Sequence, residues 1–269
     1  MSRVAAIQLA SGPHISANLL ETERLISQAV DGGADLVVLP ENFAFMGERE
    51  SDKLELAEQP GGGRLQDFLA GQASRHRIWL VGGTIPMASS KPGKVRACSL
   101  TYNASGEQVG RYDKIHLFDV SVPDSEERYF ESESIEPGTD VTVIDTPCGK
   151  LGIAVCYDLR FPEMFRKMLD LGMETLAVPS AFTAITGRAH WEVLVRARAI
   201  ENLCYVVAAG QGGYHVSGRE TFGNSMVVDP WGVVLDRMNR GAGFVAADFD
   251  PVRVRTVRQT FPTVQHRRF

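Results

Sequence analysis

The sequence predicts an α/β protein with four layers, an αββα sandwich in which two sheets lie inside and helices cover them. The chain contains an internal repeat, and each half reads strand, helix, strand, helix, strand and then a hairpin. Each half therefore forms a mostly parallel sheet, and two such sheets can cover each other's free faces. No linker rich in Gly, Pro or Ser separates the halves, so we expect residues 1–269 to form one domain.

The predicted elements of the first half follow from apolar spacing and turn residues. Leu19, Leu20 and Ile26 recur at helical spacing, whereas the runs on either side of that helix are short and apolar, as in buried strands. Ala104-Ser-Gly106 supplies the turn of a hairpin. In order, the elements are strand 3–9, helix 18–30, strand 33–40, helix 65–76, strand 78–82 and a hairpin over 97–112.

The second half repeats this order. Pro162 suits the first turn of a helix, where its missing N–H is not needed, and Pro230-Trp-Gly232 supplies the turn of the second hairpin. Between the halves lies the long acidic segment 118–139, and loops of this length in compact folds are often functional lids. The elements are strand 150–156, helix 162–171, strand 172–179, helix 191–202, strand 204–209 and a hairpin over 224–237.

Composition excludes several classes of function. The net charge of −5 argues against a nucleic-acid partner, whose binding needs a basic patch. No apolar stretch approaches the ~20 residues of a membrane span, so we expect no membrane partner. The four cysteines lack the close spacing of a zinc or redox site, and the first residues do not resemble a secretory leader. We therefore expect a cytoplasmic protein with reduced thiols and no bound metal.

Three polar residues stand where predicted strands end, which is where α/β sheets form ligand sites. Glu41 follows strand 33–40, Lys114 follows the first hairpin and Cys156 ends strand 150–156. A cysteine that belonged only to the core would lie within the apolar run instead of at its end. We expect Glu41 and Cys156 to lie on adjacent strands of opposite repeats, at one shared edge.

A carboxylate, an ammonium and a thiol together can open an amide bond without a cofactor. Lys114 would lower the pKa of the Cys156 thiol and, with the backbone N–H of Tyr157, stabilise the oxyanion that forms. Glu41 would take the thiol proton and pass it to the leaving amine. The product of this step is a thioester, which water activated by Glu41 then hydrolyses to an acid.

Three blocks of sequence resemble, in the same order, the signature blocks of the nitrilase superfamily of carbon–nitrogen hydrolases. They are Pro40-Glu41-Asn42, Tyr112-Asp-Lys114-Ile-His-Leu-Phe118 and Cys156-Tyr-Asp-Leu-Arg160-Phe-Pro-Glu163. The resemblance covers nearly the whole chain and implies the four-layer αββα sandwich of that superfamily. It also implies a homodimer or a higher homo-oligomer.

The same resemblance assigns roles to four residues. It implies a catalytic triad of Glu41, Lys114 and Cys156. The second glutamate of the family, which positions the lysine and the substrate, corresponds to Glu131, and Glu127 is the alternative.

The branch of the superfamily is indicated by the stretch 179–201. It resembles the amidases that act on deaminated glutathione and, less closely, the ω-amidases that hydrolyse 2-oxoglutaramate. Cys156 is followed by Tyr-Asp, whereas true nitrilases usually have Trp-Glu there, which argues against nitrile hydrolysis. The alternatives are an N-carbamoyl or aliphatic amide hydrolase and, in another class, a non-catalytic binding protein on the same fold.

The predicted substrate is a small amide with an anionic end. Arg160 is the candidate for that end because a guanidinium matches a carboxylate bidentately, although an internal salt bridge is the alternative role. Arg188 replaces the proline that related amidases commonly have and adds a cation near the predicted pocket. The remaining residues predicted to line the pocket are Tyr157, Phe182, Thr183 and Thr186.

Overall fold

The computed structural model describes residues 2–123 and 126–268, which form two large sheets and one short ribbon. The first sheet has the order β15 (Gly243–Phe249), β1 (Ser2–Gln8), β2 (Leu36–Val38), β3 (Trp79–Val81), β5 (Val95–Tyr102) and β4 (Ile85–Ala88), with β6 (Gln108–Asp113) on the other edge of β5. The second sheet has the order β14 (Val234–Arg237), β13 (Met226–Val228), β12 (Tyr205–Gly210), β11 (Thr175–Ser180), β10 (Gly149–Ile153) and β9 (Thr142–Thr146). The ribbon pairs β7 (Asp119–Ser121) with β8 (Arg128–Phe130).

Helices cover the outer face of each sheet. Helices α1 and α2 pack on the first sheet, and α5 packs on the second with α3 beside it. The helices are α1 (Ile15–Asp31), α2 (Arg64–His76), α3 (Pro162–Asp170), α4 (Ala184–Thr186), α5 (Glu192–Asn202) and α6 (Pro251–Thr260).

Alternate residues of the central strands show the four layers directly. On β1, Ala5 and Ile7 belong to the core beneath α1 and α2, whereas Val4 and Ala6 belong to the core between the sheets. On β12, Val206 likewise faces the helices of its own half. Because successive side chains of a strand point to opposite faces, both faces of these strands are buried and apolar. The predicted αββα sandwich is confirmed.

The internal repeat corresponds to two equivalent chain paths. In the first half β1, β2 and β3 are parallel and β5 returns antiparallel, and in the second half β10, β11, β12 and β13 do the same. Two antiparallel edge strands were not predicted: β15 pairs with β1, and β9 pairs with β10. They occupy equivalent edges, although one follows its half in sequence and the other precedes it.

The route that brings Glu41 to Cys156 differs from the predicted one. Glu41 follows β2 in the first sheet and Cys156 follows β10 in the second, so these strands are not adjacent in one sheet. The two residues meet because the sheets pack face to face, with β2 against β11 and β12. The acidic segment 118–139 forms the ribbon of β7 and β8 followed by a short 3-10 turn, and its positions 124 and 125 lie outside the described residues.

Candidate active site

Cys156 begins a 3-10 turn that connects β10 to α3. Strand β10 ends at Ile153, and the turn spans Cys156–Arg160. Cys156 has a φ of 49°, in the left-handed region that a residue with a Cβ adopts at a cost of about 1–2 kcal/mol. Such strained residues cluster at functional sites, because the surrounding structure must hold them there. At the start of the turn, backbone N–H groups such as that of Tyr157 have no acceptor within the turn.

The buried carboxylate of Asp158 holds this turn in place. It accepts hydrogen bonds from the backbone N–H of Val155 at 2.8 Å, from the Tyr112 hydroxyl at 2.7 Å and from the backbone N–H of His116 at 3.1 Å. The Nδ1 atom of His116 lies 2.7 Å from the same carboxylate. Asp158 therefore connects the turn of Cys156 to the segment that carries Lys114.

The backbone at Glu41 is held in place by contacts from other parts of the chain. Gly83 has a φ of +57°, and a Cβ at that position would lie 2.2 Å from the Pro40 carbonyl oxygen, so only glycine permits this approach. The amide of Gln211, in the second half, donates to the Glu41 carbonyl oxygen at 3.0 Å. The backbone before and at Glu41 is thus fixed from both sheets.

Lys114 joins two carboxylates inside the protein. Its Nζ lies 2.8 Å from Glu41 Oε1 and 2.9 and 2.8 Å from the two oxygens of Glu131. The side chains of Lys114, Glu41 and Glu131 are only 2%, 5% and 12% exposed. The backbone N–H of Phe118 also donates to Glu131, at 2.8 Å. Glu131 contacts Lys114 in the described structure, whereas Glu127 accepts a hydrogen bond from Tyr129 instead.

Burial and charge set the protonation states of these groups. Burial lowers the pKa of Lys114, but Glu131 and Glu41 outweigh it and place that pKa well above its ordinary value. Burial raises the pKa of Glu41, but Lys114 outweighs it and the pKa lies below the ordinary value. Lys114 is therefore an ammonium and Glu41 a carboxylate at neutral pH.

The Cys156 thiol is protonated in the resting site. Burial raises its pKa first and the Glu41 carboxylate raises it further, whereas Lys114 and the backbone of Ala181 lower it. Lys114 lowers the pKa of the thiol, as the sequence predicts, but the desolvation of a thiolate raises that pKa by more than one ammonium lowers it. The Glu41 carboxylate interacts directly with this thiol.

These groups face one common pocket. All nine residues predicted for the site line it, including both threonines, whose hydroxyl oxygens are 2.9 Å apart. They are Glu41, Lys114, Glu131, Cys156, Tyr157, Arg160, Phe182, Thr183 and Thr186.

Arg160 lies in the pocket wall between two aromatic rings. Its guanidinium carbon is 5.7 Å from the ring centre of Tyr157 and 5.5 Å from that of Phe182. The Nη1 atom of Arg160 lies 3.2 Å from Nδ1 of His190. No ion pair in residues 2–123 and 126–268 includes Arg160. Arg188 does not line the pocket; its Nε donates to the Ala184 carbonyl oxygen at 3.2 Å, within its own helix.

Several lining residues were not predicted from the sequence. Arg219 is the most notable, because it donates to the Ala181 carbonyl oxygen and lies over the Tyr129 ring with 5.0 Å to its centre. It comes from the segment before β13, far along the chain from the three blocks, and no spacing signals it. The other unpredicted lining residues are Asn42, Glu50, Lys53, Phe118, Tyr129 and Ala181.

The remaining chemical groups serve the fold. Cys98, Cys148 and Cys204 are free and buried, and burial raises the pKa of Cys148 and of Cys204 to about 12. Within the described part of the chain, no cluster of three or more His, Cys, Asp or Glu side chains is arranged to hold a metal ion. None of the described helices combines the length and the apolarity that crossing a membrane requires.

Comparison with known proteins identifies the family of this chain. Residues 3–259 match the carbon–nitrogen hydrolase family. The chain belongs to that family. Like the family as a whole, it is therefore a hydrolase of carbon–nitrogen bonds, as the sequence predicts.

Relatives and solved structures of the family are similar over nearly the whole chain. A deaminated glutathione amidase from Yersinia enterocolitica is 41% identical over 269 residues, covering 100% of this chain and 93% of the relative. The crystal structure of the Caenorhabditis elegans NitFhit protein has a TM-score of 0.90 and 37% identity, covering 99% of this chain and 65% of that longer one. Saccharomyces cerevisiae Nit3, a member of branch 10 of the nitrilase superfamily, has a TM-score of 0.89 and 33% identity, covering 100% and 97%. The predicted nitrilase-superfamily fold is confirmed.

Proposed function

We propose that this protein is an amidase that hydrolyses a 2-oxoglutaramyl amide, such as deaminated glutathione, through a thioester on Cys156. The observation that carries the proposal is the buried group of Glu41, Lys114 and Glu131 beside a cysteine at the start of a strained turn. The relative from Yersinia enterocolitica, named deaminated glutathione amidase, supports the substrate. The reaction uses no cofactor.

In the first half of the reaction Cys156 attacks the amide carbonyl carbon. Glu41 takes the thiol proton as the S–C bond forms, because the pKa of the thiol is raised by burial while the carboxylate is ionised. The tetrahedral oxyanion then accepts hydrogen bonds from Lys114 Nζ and the Tyr157 N–H. Glu41 passes its proton to the leaving nitrogen as the C–N bond breaks, which leaves a thioester and a free amine.

In the second half water replaces the amine. Glu41 takes a proton from that water, and the hydroxide attacks the thioester carbonyl carbon. Lys114 and the Tyr157 N–H stabilise the second oxyanion, and the C–S bond breaks. The acid leaves and the thiol regains its proton. Glu131 takes no proton in this scheme; it holds Lys114 in position.

The acyl half of the substrate would lie against Arg160. Its guanidinium has no carboxylate partner among the described residues, so it is free to pair with the substrate's 2-oxo acid end. Tyr157 and Phe182 would pack on the short carbon chain, and Thr183 and Thr186 offer hydroxyl groups to its oxygens. An ω-amidase that acts on 2-oxoglutaramate would bind the same acyl group and differs only in releasing ammonia.

A substrate panel with a cysteine variant tests the proposal. The wild type should show its highest kcat/KM on deaminated glutathione, followed by 2-oxoglutaramate, and lower values on an N-carbamoyl amino acid and an aliphatic amide. Cys156→Ala should lose at least about 10⁴-fold in kcat on every substrate, because no nucleophile remains. Cys148→Ala, which removes a buried thiol outside the pocket, is the matched control and should keep its activity.

Mass spectrometry separates this enzyme from a binding protein on the same fold. Acid quenching during turnover should trap an acyl adduct on Cys156 of the wild type. Tight binding of the amide without any adduct or product would favour the non-catalytic alternative.

We further propose that residues 1–269 act as one catalytic domain, in the cytoplasm, and as a homodimer or larger homo-oligomer. Site residues from both halves support the single domain, and four free, buried thiols suit a reducing compartment. The exposed residues Ile200, Trp231 and Phe261 support an interface, because Trp231 packs on Phe261 with 5.2 Å between ring centres. Light scattering that reports a monomer would contradict the oligomer.

A further inference from the structure

A second, outer chamber of about 410 Å³ adjoins the pocket that contains Cys156. The two cavities share Asn42, Glu50, Lys53, Tyr129 and Arg219, so these residues form the neck between them. Cys156 lines only the inner pocket. A substrate whose scissile amide lies at Cys156 would therefore extend its leaving group toward the outer chamber.

The positively charged side chains of the outer chamber differ in whether they have a carboxylate partner. Arg49 contacts Asp52 at 3.3 Å and Lys53 contacts Glu50 at 2.5 Å, so both have carboxylate partners. Arg128, exposed on β8, has no side-chain hydrogen bond or ion pair in residues 2–123 and 126–268. Its guanidinium is free to bind a carboxylate from outside the protein.

Arg219 in the neck has one N–H donor without a hydrogen-bond acceptor among the described residues. Its guanidinium binds the Ala181 carbonyl oxygen and packs on Tyr129, but its buried Nε has no hydrogen-bond partner among the described residues. A buried N–H without an acceptor is costly, which makes this position suited to an acceptor supplied by a ligand. An amide carbonyl of a substrate passing through the neck is such an acceptor.

The three arginines are distributed between the two cavities. Arg160 lines only the inner pocket, Arg128 only the outer chamber, and Arg219 lies between them. The outer chamber also carries Glu48, Glu50 and Glu127, so its net charge is small. Recognition of an anion there depends on the placement of a free guanidinium more than on a general positive field.

We propose that the outer chamber binds the leaving half of the substrate, a short peptide-like amine with a terminal carboxylate, and that Arg128 pairs with that carboxylate. Arg219 Nε donates to the amide carbonyl oxygen between the scissile bond and that end. This inference rests on the proposed amidase function. The substrate is thus a dianion, with one carboxylate at Arg160, the other at Arg128 and the scissile amide at Cys156.

The test compares two substrates that differ only in the terminal charge. They are 2-oxoglutaryl-cysteinylglycine and the same molecule with a C-terminal carboxamide. In the wild type the acid should have the higher kcat/KM. Arg128→Ala should lower the ratio of kcat/KM for the acid to that for the carboxamide about threefold to fivefold, through KM, since an exposed charged pair contributes uniform binding.

Two further variants make the result specific. Arg128→Lys should recover part of the ratio because it restores the charge. Arg49→Ala, which removes a chamber arginine that already has a carboxylate partner, should leave the ratio within about twofold of the wild type. A ratio that Arg128→Ala leaves unchanged, or that Arg49→Ala lowers equally, overturns the inference while the amidase function stands. A wild type that hydrolyses neither substrate overturns the proposed function itself.

Discussion

Replacing Glu131 with Gln should separate the charge of this side chain from its size. The Glu131 carboxylate accepts two hydrogen bonds from Lys114, at 2.9 and 2.8 Å, and one from the Phe118 N–H. The Lys114 side chain is only 2% exposed, so water cannot replace the lost charge. In the variant Glu41 is the one remaining carboxylate on Lys114, and we expect the ammonium to move toward it.

The structure gives the size of the two expected effects. A hydrogen bond to a charged group contributes about 1.5–3 kcal/mol and a neutral one about 0.5–1.5 kcal/mol, so the free energy of unfolding should fall by roughly 1–3 kcal/mol. Because a Lys114–Glu41 pair survives, no unpaired buried charge adds to this cost. Activity should fall more, since a displaced oxyanion donor costs about 10²–10³ in kcat.

The assay is steady-state hydrolysis of 2-oxoglutaramate, followed across pH and beside urea unfolding. Glu131 and Glu41 hold the pKa of Lys114 well above its ordinary value. Without the Glu131 charge that pKa falls, so the ammonium is lost at lower pH. The alkaline limb of kcat/KM should therefore shift to lower pH in the variant.

Glu127→Gln is the matched control, because it makes the same substitution four residues away. Glu127 accepts a hydrogen bond from Tyr129 and does not line the inner pocket. We expect its kcat on this small substrate to stay within about twofold of the wild type. A Glu131→Gln variant with wild-type kcat and an unshifted alkaline limb would refute the positioning role.

Three further predictions concern the scaffold of the site. Asp158→Ala leaves two buried donors and one partly buried donor without their acceptor. At about 1–3 kcal/mol for each fully buried donor, urea unfolding should show a loss of roughly 2–6 kcal/mol, and a loss below about 1 kcal/mol would contradict the bonding described. Gly83→Ala places a Cβ 2.2 Å from the Pro40 carbonyl oxygen, and the displaced catalytic backbone should cost about 10²-fold in kcat, whereas unchanged kinetics would show that the loop yields freely. Burial raises the pKa of Glu50, but Lys53 outweighs this effect and lowers the pKa to about 2. The Glu50 side chain is 43% exposed, so the pair stabilises the fold by no more than about 1 kcal/mol. This stability is present above the ordinary pKa of a glutamate and is lost as the pH falls toward about 2, and Glu50→Gln should remove that acid-side loss in pH-dependent unfolding.

Much of the fold could be predicted because its signals are local. Apolar spacing marks the helices, and the helix predicted over 18–30 is observed at Ile15–Asp31. The repeat then indicates two sheets that cover each other. The edge strands β15 and β9 were not predicted, and their place at the sheet edges depends on pairing with β1 and β10.

The sequence also predicts which residues line the pocket, but not how they contact one another. Three motif blocks single out Glu41, Lys114 and Cys156, whereas the choice between Glu131 and Glu127 as the partner of Lys114 depends on where the ribbon of β7 and β8 places each carboxylate. The sequence also suggested one sheet edge for Glu41 and Cys156, and the packing of two sheets brings them together instead.

The opposing effects on the Cys156 pKa show most clearly why the sequence alone does not determine the chemistry of the site. The residue types alone establish that an ammonium would lower the pKa and a carboxylate would raise it. Only burial, which comes from the packing of both halves around the pocket, decides that the effects that raise the thiol pKa outweigh those that lower it. Arg219 reaches the same pocket through the Ala181 carbonyl oxygen, a contact between segments distant in the chain. The sequence determines the chemistry of each residue and the local pattern of helices and strands, whereas desolvation and contacts between distant segments arise only once the chain is packed.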